Sequence, residues 1–486
     1  MKLAWRRAFS AARSFLAYSP ESVRTYIYDC TVLLVAPISK ETDQKRTRKC
    51  SAWLIVTFER FLNKGGDLIL AQRLEQEVVL NGRRYRWPSR PVVVICMDGC
   101  DPSYMEQGLR EGILPNVKRF VEEGFAGEAL SVIPSFTNPN NISIVTGAPA
   151  SIHGIVGNFF LDPNTGKEIM MDDPKFLRSE TLLAEFSKKG ATVVIITAKD
   201  KLLKLLSHHL AGGIRFSAEK ADQCSPEENG IERVLDLVGK PLPDVYSAEL
   251  SLFVLEAGQK LLERDTPDLM YLSLTDYIQH RYPPGAEKSN SFLMLLDEAL
   301  GRFGKLGALV GLTADHGMND KAKADGSPNV IFLQDLLDQD FGSGMTKVIC
   351  PITDPYVRHH ASLGSFVTVY CNTGLKPKLV IDYVRGLQGV EKVFGRTSAC
   401  RAFDLPTNLV GDLIVLSESS VVLGSTQTAH DLSALEGMRL RSHGGLAEQK
   451  VPFVLSRPLT AEYAALAASR RLRNFDIFDF ALNGTL

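Results

Sequence analysis

The fold of this chain is decided by the run Pro91-Val-Val-Val-Ile-Cys-Met97, which Asp98-Gly99 follows directly. The run is apolar throughout and rich in β-branched residues, which is typical of a parallel strand buried on both faces of a sheet. Similar runs recur along the chain, separated by stretches with helical spacing. Strands are predicted at Thr192–Ile196, Asp268–Leu274, Ala308–Leu312 and Val451–Leu455, and helices at Leu114–Glu123, Glu180–Lys189, Leu250–Leu262 and Ser289–Phe303. This alternation predicts an α/β fold with a mostly parallel central sheet flanked by helices.

The composition of the 486-residue chain is that of an ordinary soluble globular protein, with 45% hydrophobic and 23% charged residues. Its 55 basic and 56 acidic residues give a formal charge of -1, so there is no general attraction to nucleic acid or to an anionic membrane. No apolar run reaches the roughly 20 residues that are needed to cross a bilayer. We therefore expect no nucleic-acid or membrane partner, and any bound anion must be held by local charge.

The cellular compartment is predicted from the cysteines and from the N-terminus. The eight cysteines form no C-x2-C pair and no dense framework, which favours reduced thiols and a cytoplasmic protein. Residues 1–20 carry four basic residues and no acid, which also suits a mitochondrial transit peptide. A solvated basic helix is the plainer interpretation, and both stay open. We interpret residues 1–79 as an N-terminal extension of unknown role and residues 80–486 as the catalytic domain.

A change of sequence pattern indicates an insertion within this domain. Between residues 319 and 436, segments punctuated by Pro and Gly separate predicted strands at Ser365–Tyr370 and Asp412–Leu416. We interpret this region as a smaller inserted cap, because the chain afterwards returns to residues that are typical of a functional site. These residues are Arg441-Ser-His443-Gly-Gly445.

Residue types that bind metal ions follow the predicted strands or open loops in five short segments. Ligands of open parallel sheets bind at the carboxyl ends of strands, so polar residues there are functional candidates. Asp276 and His280 are spaced i, i+4, and one helical turn would place this carboxylate and imidazole on one face, a pair that suits Zn²⁺. Asp315-His316 needs an irregular loop, for which Gly317 supplies backbone freedom. The candidate ligands are Asp98, Thr137, Asp276, His280, Asp315, His316 and His443.

Each candidate also has an ordinary structural interpretation. An aspartate after a strand is more often a helix cap or a turn residue, and a single histidine more often lies at the surface or in the core. Thr137, in the run Ile133-Pro-Ser-Phe-Thr-Asn-Pro139, is also suited to a helix N-cap, and Ser135 competes with it as a nucleophile. The ordered set D-G, T-N, D-x3-H, D-H-G and H-G is much less expected by chance than any single member.

That ordered set resembles the two-metal site of the phosphodiesterase and phosphonoacetate hydrolase branch of the alkaline phosphatase superfamily. The resemblance runs from about Leu80 to the C-terminus and implies an alkaline phosphatase-like fold. Two divalent ions about 4 Å apart can stabilise both the attacking and the leaving side of a displacement at phosphorus, and Zn²⁺ is the expected ion. The resemblance implies one ion held by Asp276, His280 and His443, and a second held by Asp98, Asp315 and His316, toward which Thr137 would bridge.

Two further segments narrow the substrate that the resemblance implies. Ser151-Ile-His-Gly-Ile-Val-Gly-Asn158-Phe159 is similar to the phosphoryl-contacting stretch of the family, and Asn158 is expected to donate a hydrogen bond to a phosphoryl oxygen. Thr197-Ala-Lys199-Asp-Lys201 is similar to the stretch that recognises the substrate carboxylate in phosphonoacetate hydrolases. Without the resemblance, Asn158 would be a turn residue and the two lysines would be a solvated surface.

The resemblance thus implies hydrolysis of the carbon–phosphorus bond of phosphonoacetate to acetate and phosphate. Thr137 would be the nucleophile, with its hydroxyl pKa lowered by metal coordination. Lys199 and Lys201 are the candidates to stabilise the acetate enolate that leaves. The alternative is a nucleotide or other phosphodiesterase or pyrophosphatase with the same metal site, and a non-catalytic metal-binding protein is more remote. The expected partner is a small-molecule phosphonate, and a homodimer is left open.

Overall fold

The computed structural model describes residues 24–28, 31–35, 76–352, 363–435 and 437–486. The chain divides into two units, Met1–Gln76 and Glu77–Leu486. In the first unit, strand β1 (Arg24–Tyr28) pairs antiparallel with strand β2 (Thr31–Val35). The basic stretch at residues 1–20, on which the transit-peptide prediction rests, lies outside the described residues. Across these ranges, every helix is too short or too polar to cross a bilayer.

Strands and helices alternate through the second unit, as the sequence predicts, and each predicted core element matches an observed one to within about three residues at either end. The described strands of this unit are β3 (Glu77–Leu80), β4 (Arg83–Arg86), β5 (Val92–Cys96), β6 (Phe125–Leu130), β7 (Phe159–Leu161), β8 (Glu168–Met170), β9 (Val193–Thr197), β10 (Ile214–Ser217), β11 (Leu269–Ser273), β12 (Leu309–Thr313), β13 (Asn319–Asp320), β14 (Val330–Phe332), β15 (Thr346–Ile349), β16 (Phe366–Cys371), β17 (Val390–Gly395), β18 (Leu413–Ser417), β19 (Val422–Gly424), β20 (Arg441–Ser442), β21 (Lys450–Leu455) and β22 (Leu472–Arg473). The described α-helices are α1 (Pro102–Arg110), α2 (Pro115–Glu123), α3 (Thr137–Thr146), α4 (Ala150–His153), α5 (Leu182–Lys188), α6 (Asp200–Leu206), α7 (Pro226–Asn229), α8 (Val234–Val238), α9 (Glu249–Asp265), α10 (Tyr277–Arg281), α11 (Glu287–Lys305), α12 (Leu333–Phe341), α13 (Pro377–Arg385), α14 (Arg396–Phe403), α15 (Ala461–Ser469) and α16 (Ile477–Asn483).

Within the described ranges, the centre of this unit is an eight-stranded sheet in the order β10-β9-β11-β5-β12-β21-β6-β22. Strand β21 runs antiparallel to both of its neighbours, and the remaining strands all run in one direction. Strands β5, β9, β11 and β12 are fully buried, as their continuous apolar sequences predict. Helix α9 packs against β9 and β11, and α16 packs against β5 and β12. The predicted α/β fold with a mostly parallel sheet is therefore confirmed.

A smaller sheet lies in the region that the sequence predicts to be a cap. Its strands follow the order β15-β16-β18-β17 and pair antiparallel throughout. Helix α12 packs against β15 and α13 against β17, and the apolar side chains between them form a cluster of their own. Strands β13 and β20 also pair, so the chain that enters this region lies beside the chain that leaves it toward His443.

Candidate active site

The carboxyl edge of the central sheet brings the predicted aspartates together. Asp98 follows β5, Asp276 follows β11 and Asp315 follows β12. Because β5 lies between β11 and β12, the three carboxylates come from neighbouring parallel strands and meet at one edge. Each side chain is at most 5% exposed. The fold therefore buries three acids close to one another.

Asp276, His280 and His443 form the first group of candidate ligands. Asp276 stands directly before α10 and His280 lies one helical turn later, so the i, i+4 spacing places both on one face. The Nε2 atom of His280 lies 2.8 Å from Asp276 Oδ2, and that of His443 lies 3.9 Å from the same oxygen. One donor atom from each residue lies within 4.8 Å of the others, which is close enough for a shared ion.

A second group of candidate ligands surrounds His316, which lies in irregular backbone after β12. His316 Nε2 is 3.2 Å from Asp98 Oδ1 and 3.8 Å from Asp315 Oδ2. Donor atoms of Asp98, Asp276 and His316 also lie within 4.8 Å of one another. Asp276 thus lies close enough to take part in either group, whereas the sequence analysis assigned it to the first group alone.

The three histidines are oriented by hydrogen bonds from their other ring nitrogen. The Nδ1 atoms of His280, His316 and His443 lie 2.9, 2.9 and 2.8 Å from the backbone carbonyl oxygens of Arg441, Gly317 and Ser135, respectively. Because a carbonyl oxygen only accepts, each Nδ1 carries the hydrogen, and the Nε2 of a neutral ring keeps its lone pair. The Nε2 atoms lie on the side of the aspartates, which is the arrangement found in metal-binding histidines.

Negative charge accumulates at this edge of the sheet. Burial raises the pKa of Asp98 well above its usual value, and the Asp276 and Asp315 carboxylates raise it further. Burial lowers the pKa of His316, but the same three aspartates outweigh it and raise that pKa to about 10. Among the described lysines and arginines, only Lys199 is ion-paired with these acids, with Nζ 3.8 Å from Asp276 Oδ1. Buried charges of one sign require a counter-charge, so the donor set fits bound divalent cations.

Thr137 lies at the same edge, as the first residue of α3. Its Oγ1 is 3.5 Å from His316 Nε2, and its side chain is partly accessible. The N-cap position is occupied by Phe136, which makes no side-chain capping bond. Thr137 therefore does not serve as the helix cap, and its hydroxyl faces the ligand groups. The positive end of the helix dipole at this point favours a bound anion.

Asn141, one turn after Thr137 on α3, is a positioning residue that the sequence analysis missed. Its Nδ2 donates to Asp315 Oδ2 at 3.1 Å and to the Thr137 carbonyl at 3.0 Å. Its Oδ1 accepts from the hydroxyls of Tyr271 and Ser273, at 2.7 and 3.0 Å. Both donors and both acceptor positions of the amide are used, which fixes the side chain. The available signal was the i, i+4 spacing from Thr137.

Asn158 lies beside the start of α3. Its Oδ1 accepts the backbone N–H of Asn138 at 3.0 Å, and Asn138 is the residue after Thr137. Backbone hydrogen bonds to Pro351 and Met171 hold Asn158 on both sides. Among the described residues, nothing accepts a hydrogen bond from its Nδ2. This donor is thus held next to the N-terminus of α3.

Lys199 and Lys201 follow β9, the neighbour of β11 in the sheet. Lys199 precedes α6, is 18% exposed and carries the Nζ atom near Asp276. Lys201 is half-buried in the first turn of α6. The predicted lysine pair is therefore at the same edge of the sheet as the predicted ligands.

The fold and the buried groups of candidate ligands suit a metal-dependent hydrolase, and the comparisons with known proteins identify its class as the phosphoryl hydrolases of the alkaline phosphatase superfamily. The family model for type I phosphodiesterase / nucleotide pyrophosphatase matches residues 92–390, which is more than half of the chain. The chain therefore belongs to that family.

Solved structures of related proteins agree with this assignment. Two structures of phosphonoacetate hydrolase from Sinorhizobium meliloti 1021, in complex with phosphonoformate and with phosphonoacetate, are 48% identical to this chain and have a TM-score of 0.80. Each match covers 84% of this chain and 98% of that one. Murine ectonucleotide pyrophosphatase / phosphodiesterase 5 matches with 16% identity and a TM-score of 0.56 over 82% of this chain and 96% of that one, and shares the fold alone.

A curated relative matches over a shorter stretch. It is an uncharacterized pyrophosphatase/phosphodiesterase of Schizosaccharomyces pombe, 37% identical over 90 residues. These residues make up 18% of this chain and 18% of the length of the relative. The match supports the family.

Proposed function

We propose that this enzyme hydrolyses the carbon–phosphorus bond of phosphonoacetate to acetate and phosphate. The observation that carries the proposal is the position of Lys199, whose Nζ lies 3.8 Å from Asp276 Oδ1. Lys199 places a positive charge beside the candidate metal ligands, which would surround the phosphoryl group. This charge could bind a second anionic group of the substrate, its carboxylate. The similar enzyme from Sinorhizobium meliloti, whose structure contains phosphonoacetate, supports this substrate.

Two divalent ions, for which Zn²⁺ is the expected element, would occupy the two ligand groups. When bound there, they would lower the pKa of the Thr137 hydroxyl and neutralise charge on the phosphoryl oxygens. The first ion would be held by Asp276, His280 and His443, and the second by Asp98, Asp315, His316 and Thr137.

Thr137 is the proposed nucleophile in preference to Ser135. The Ser135 side chain is fully buried, and its hydroxyl donates to the Gly445 carbonyl at 3.0 Å. The hydroxyl of Thr137 is partly accessible and lies 3.5 Å from His316 Nε2. Only Thr137 combines access to a substrate with a position beside the ligand groups.

The reaction that these residues support has two steps. Thr137 Oγ1 gives up its proton to solvent and attacks phosphorus, which forms an oxygen–phosphorus bond and breaks the carbon–phosphorus bond. The electron pair of the broken bond leaves with acetate as its enolate, which takes up a proton from water. A water molecule then hydrolyses the phosphothreonine and releases phosphate. Asn158 Nδ2 and the backbone N–H of Thr137 donate hydrogen bonds to the phosphoryl oxygens, and Lys199 and Lys201 stabilise the enolate through its carboxylate.

The alternative is a phosphodiesterase or pyrophosphatase that uses the same ligands and the same threonine. Such enzymes expel an oxygen leaving group, which needs no carboxylate recognition. The alternative therefore predicts that replacing Lys199 or Lys201 does not lower kcat/KM for phosphonoacetate more than for a phosphodiester. The two functions assign different roles to the lysine pair, so variants of Lys199 and Lys201 distinguish between them.

The test compares two substrates in Lys199→Ala and Lys201→Ala, with Lys204→Ala as the control because Lys204 is an exposed lysine on the same helix α6. Loss of a charge partner in a partly desolvated site costs about 2–5 kcal/mol. This corresponds to a fall of roughly 30- to 5000-fold in kcat/KM for phosphonoacetate. A nitrophenyl phosphodiester, which has no carboxylate, should lose far less, and the control should lose little with either substrate.

Two results would overturn the proposal. Equal losses with both substrates would mean that the lysines support the phosphoryl group or the metal ligands. Unchanged kcat/KM with both substrates would mean that Lys199 and Lys201 are an ordinary solvated pair.

A further inference from the structure

Lys321 and Glu448 form a buried ion pair that the proposed reaction does not use. Lys321 Nζ lies 2.8 Å from Glu448 Oε1, and both side chains are 0% exposed. The ammonium group also donates to Ser365 Oγ and to the Ser419 carbonyl, each at 2.7 Å. Ser365 precedes β16 and Ser419 follows β18, so Lys321 contacts the edge of the smaller sheet where β16 begins and β18 ends. Its three donors are all satisfied.

Glu448 uses both carboxylate oxygens and its carbonyl to hold two segments of chain. Its Oε1 accepts from Asn319 Nδ2 at 2.8 Å as well as from Lys321. Its Oε2 accepts the backbone N–H of Gly445 at 2.9 Å. Its carbonyl accepts the backbone N–H of Gly317 at 2.7 Å. Glu448 thus connects the chain after β12 with the chain before β21.

These segments carry one histidine of each ligand group. Gly317 follows His316 and accepts the hydrogen bond of its Nδ1 at 2.9 Å. Gly445 lies two residues after His443, and the backbone N–H of Ser365 donates to the His443 carbonyl at 2.9 Å. The rings of His316 and His443 stack 3.5 Å apart between their centroids. The relative position of the two histidines therefore depends on the contacts of Glu448.

We propose that Glu448, held by Lys321, is a positioning residue that places His316 and His443 for metal binding. The inference rests on the proposed function, since it assumes that these histidines hold the two ions. A carboxylate is required because both of its oxygens accept hydrogen bonds, whereas a glutamine amide offers a single oxygen. Residues behind the ligands of a metal site typically change metal affinity by about 10- to 100-fold when they are replaced.

The test measures Zn²⁺ affinity of the full chain by competition with a chelator, together with its melting temperature. Glu448→Gln should bind Zn²⁺ at least roughly tenfold more weakly than the wild type. Asp297→Asn is the matched control, because Asp297 is also a buried carboxylate that accepts backbone N–H groups, those of Asn116 and Val117 at 3.1 and 2.7 Å. The control should lower the melting temperature and leave Zn²⁺ affinity unchanged.

A double variant covers the case in which Glu448→Gln does not fold. Lys321→Met/Glu448→Gln removes the buried ammonium that would lack a counter-charge, and should therefore fold more readily. It should still bind Zn²⁺ at least roughly tenfold more weakly. Wild-type Zn²⁺ affinity in either folded variant, or an equal loss in Asp297→Asn, would overturn the proposal. Because the readout is metal affinity, a protein that does not hydrolyse phosphonoacetate can still pass this test.

Discussion

Charge is buried in two adjacent regions of this molecule and is satisfied in different ways. The Lys321–Glu448 pair has an internal partner for each donor of the lysine and for both oxygens of the glutamate. At the carboxyl edge of the sheet, Asp98, Asp276 and Asp315 instead face one another and histidine Nε2 atoms. A buried charge that is fully paired within the chain needs no external ion, whereas a buried group of like charges indicates a binding site for ions of opposite charge.

The largest effect on turnover should come from replacing Thr137, the uncharged residue at this edge of the sheet. Thr137→Ala should lower kcat by roughly a thousandfold or more, because the proposed nucleophile is lost. The variant should keep two ions per chain, because the six aspartate and histidine ligands remain. Thr137→Ser restores a hydroxyl and should retain partial activity. Turnover and metal content are measured on the same samples.

Near-normal turnover of Thr137→Ala would contradict the role of Thr137 as nucleophile. Loss of metal ions from this variant would instead mean that the main role of Thr137 is to bind metal. The two readouts together therefore separate chemistry from metal binding.

Asn158→Ala should have an intermediate effect that is the same for both substrates. A hydrogen bond to a charged group contributes about 1.5–3 kcal/mol. Its loss should lower kcat/KM roughly 10- to 100-fold with phosphonoacetate and with a nitrophenyl phosphodiester. Asn164→Ala, in the exposed turn between β7 and β8, is the control and should behave as the wild type. A loss confined to phosphonoacetate would mean that Asn158 contacts the carboxylate instead of the phosphoryl group.

The smallest effect is a change in melting temperature. Its direction should differ between the two buried regions when the protein is free of metal. Burial and the neighbouring Asp276 and Asp315 carboxylates raise the pKa of Asp98, so this carboxyl group destabilises the metal-free fold at neutral pH, which is above its pKa in the unfolded chain. Asp98→Asn should therefore raise the melting temperature of metal-free protein by roughly 1–3 °C and lower that of Zn²⁺-loaded protein. Glu448→Gln should lower it in both states. Destabilisation of metal-free protein by Asp98→Asn would show that this edge is balanced without cations.

Much of the fold could be predicted from the sequence because its signals are local. The apolar run at residues 91–97 forms the buried strand β5, and Asp98 lies at its carboxyl end as predicted. The partners of Asn141 and Glu448 could not be predicted, because they depend on tertiary packing. Lys321 and Glu448 are separated by 127 positions, and Asn141 and Asp315 by 174. Neither separation leaves a pattern in a single sequence.

The grouping of the candidate ligands in space could be predicted only in part. The helical spacing of Asp276 and His280 is visible in the sequence and places their side chains 2.8 Å apart. The approach of Asp276 to His316 and Asp98 follows from the neighbouring positions of β11, β5 and β12 in the sheet. Strand order is not contained in the local pattern, so the proximity of Asp276 to the second group could not be predicted.

The most direct test of the account is to identify the products that the purified, Zn²⁺-loaded protein forms from phosphonoacetate. Phosphorus and proton NMR of the same reaction measure inorganic phosphate and acetate, and Thr137→Ala prepared in parallel controls for contaminating activity. The account predicts equal amounts of phosphate and acetate with the wild type and neither product above background with Thr137→Ala. Absence of both products, in a sample that hydrolyses a nitrophenyl phosphodiester, would contradict cleavage of the carbon–phosphorus bond and favour the phosphodiesterase alternative.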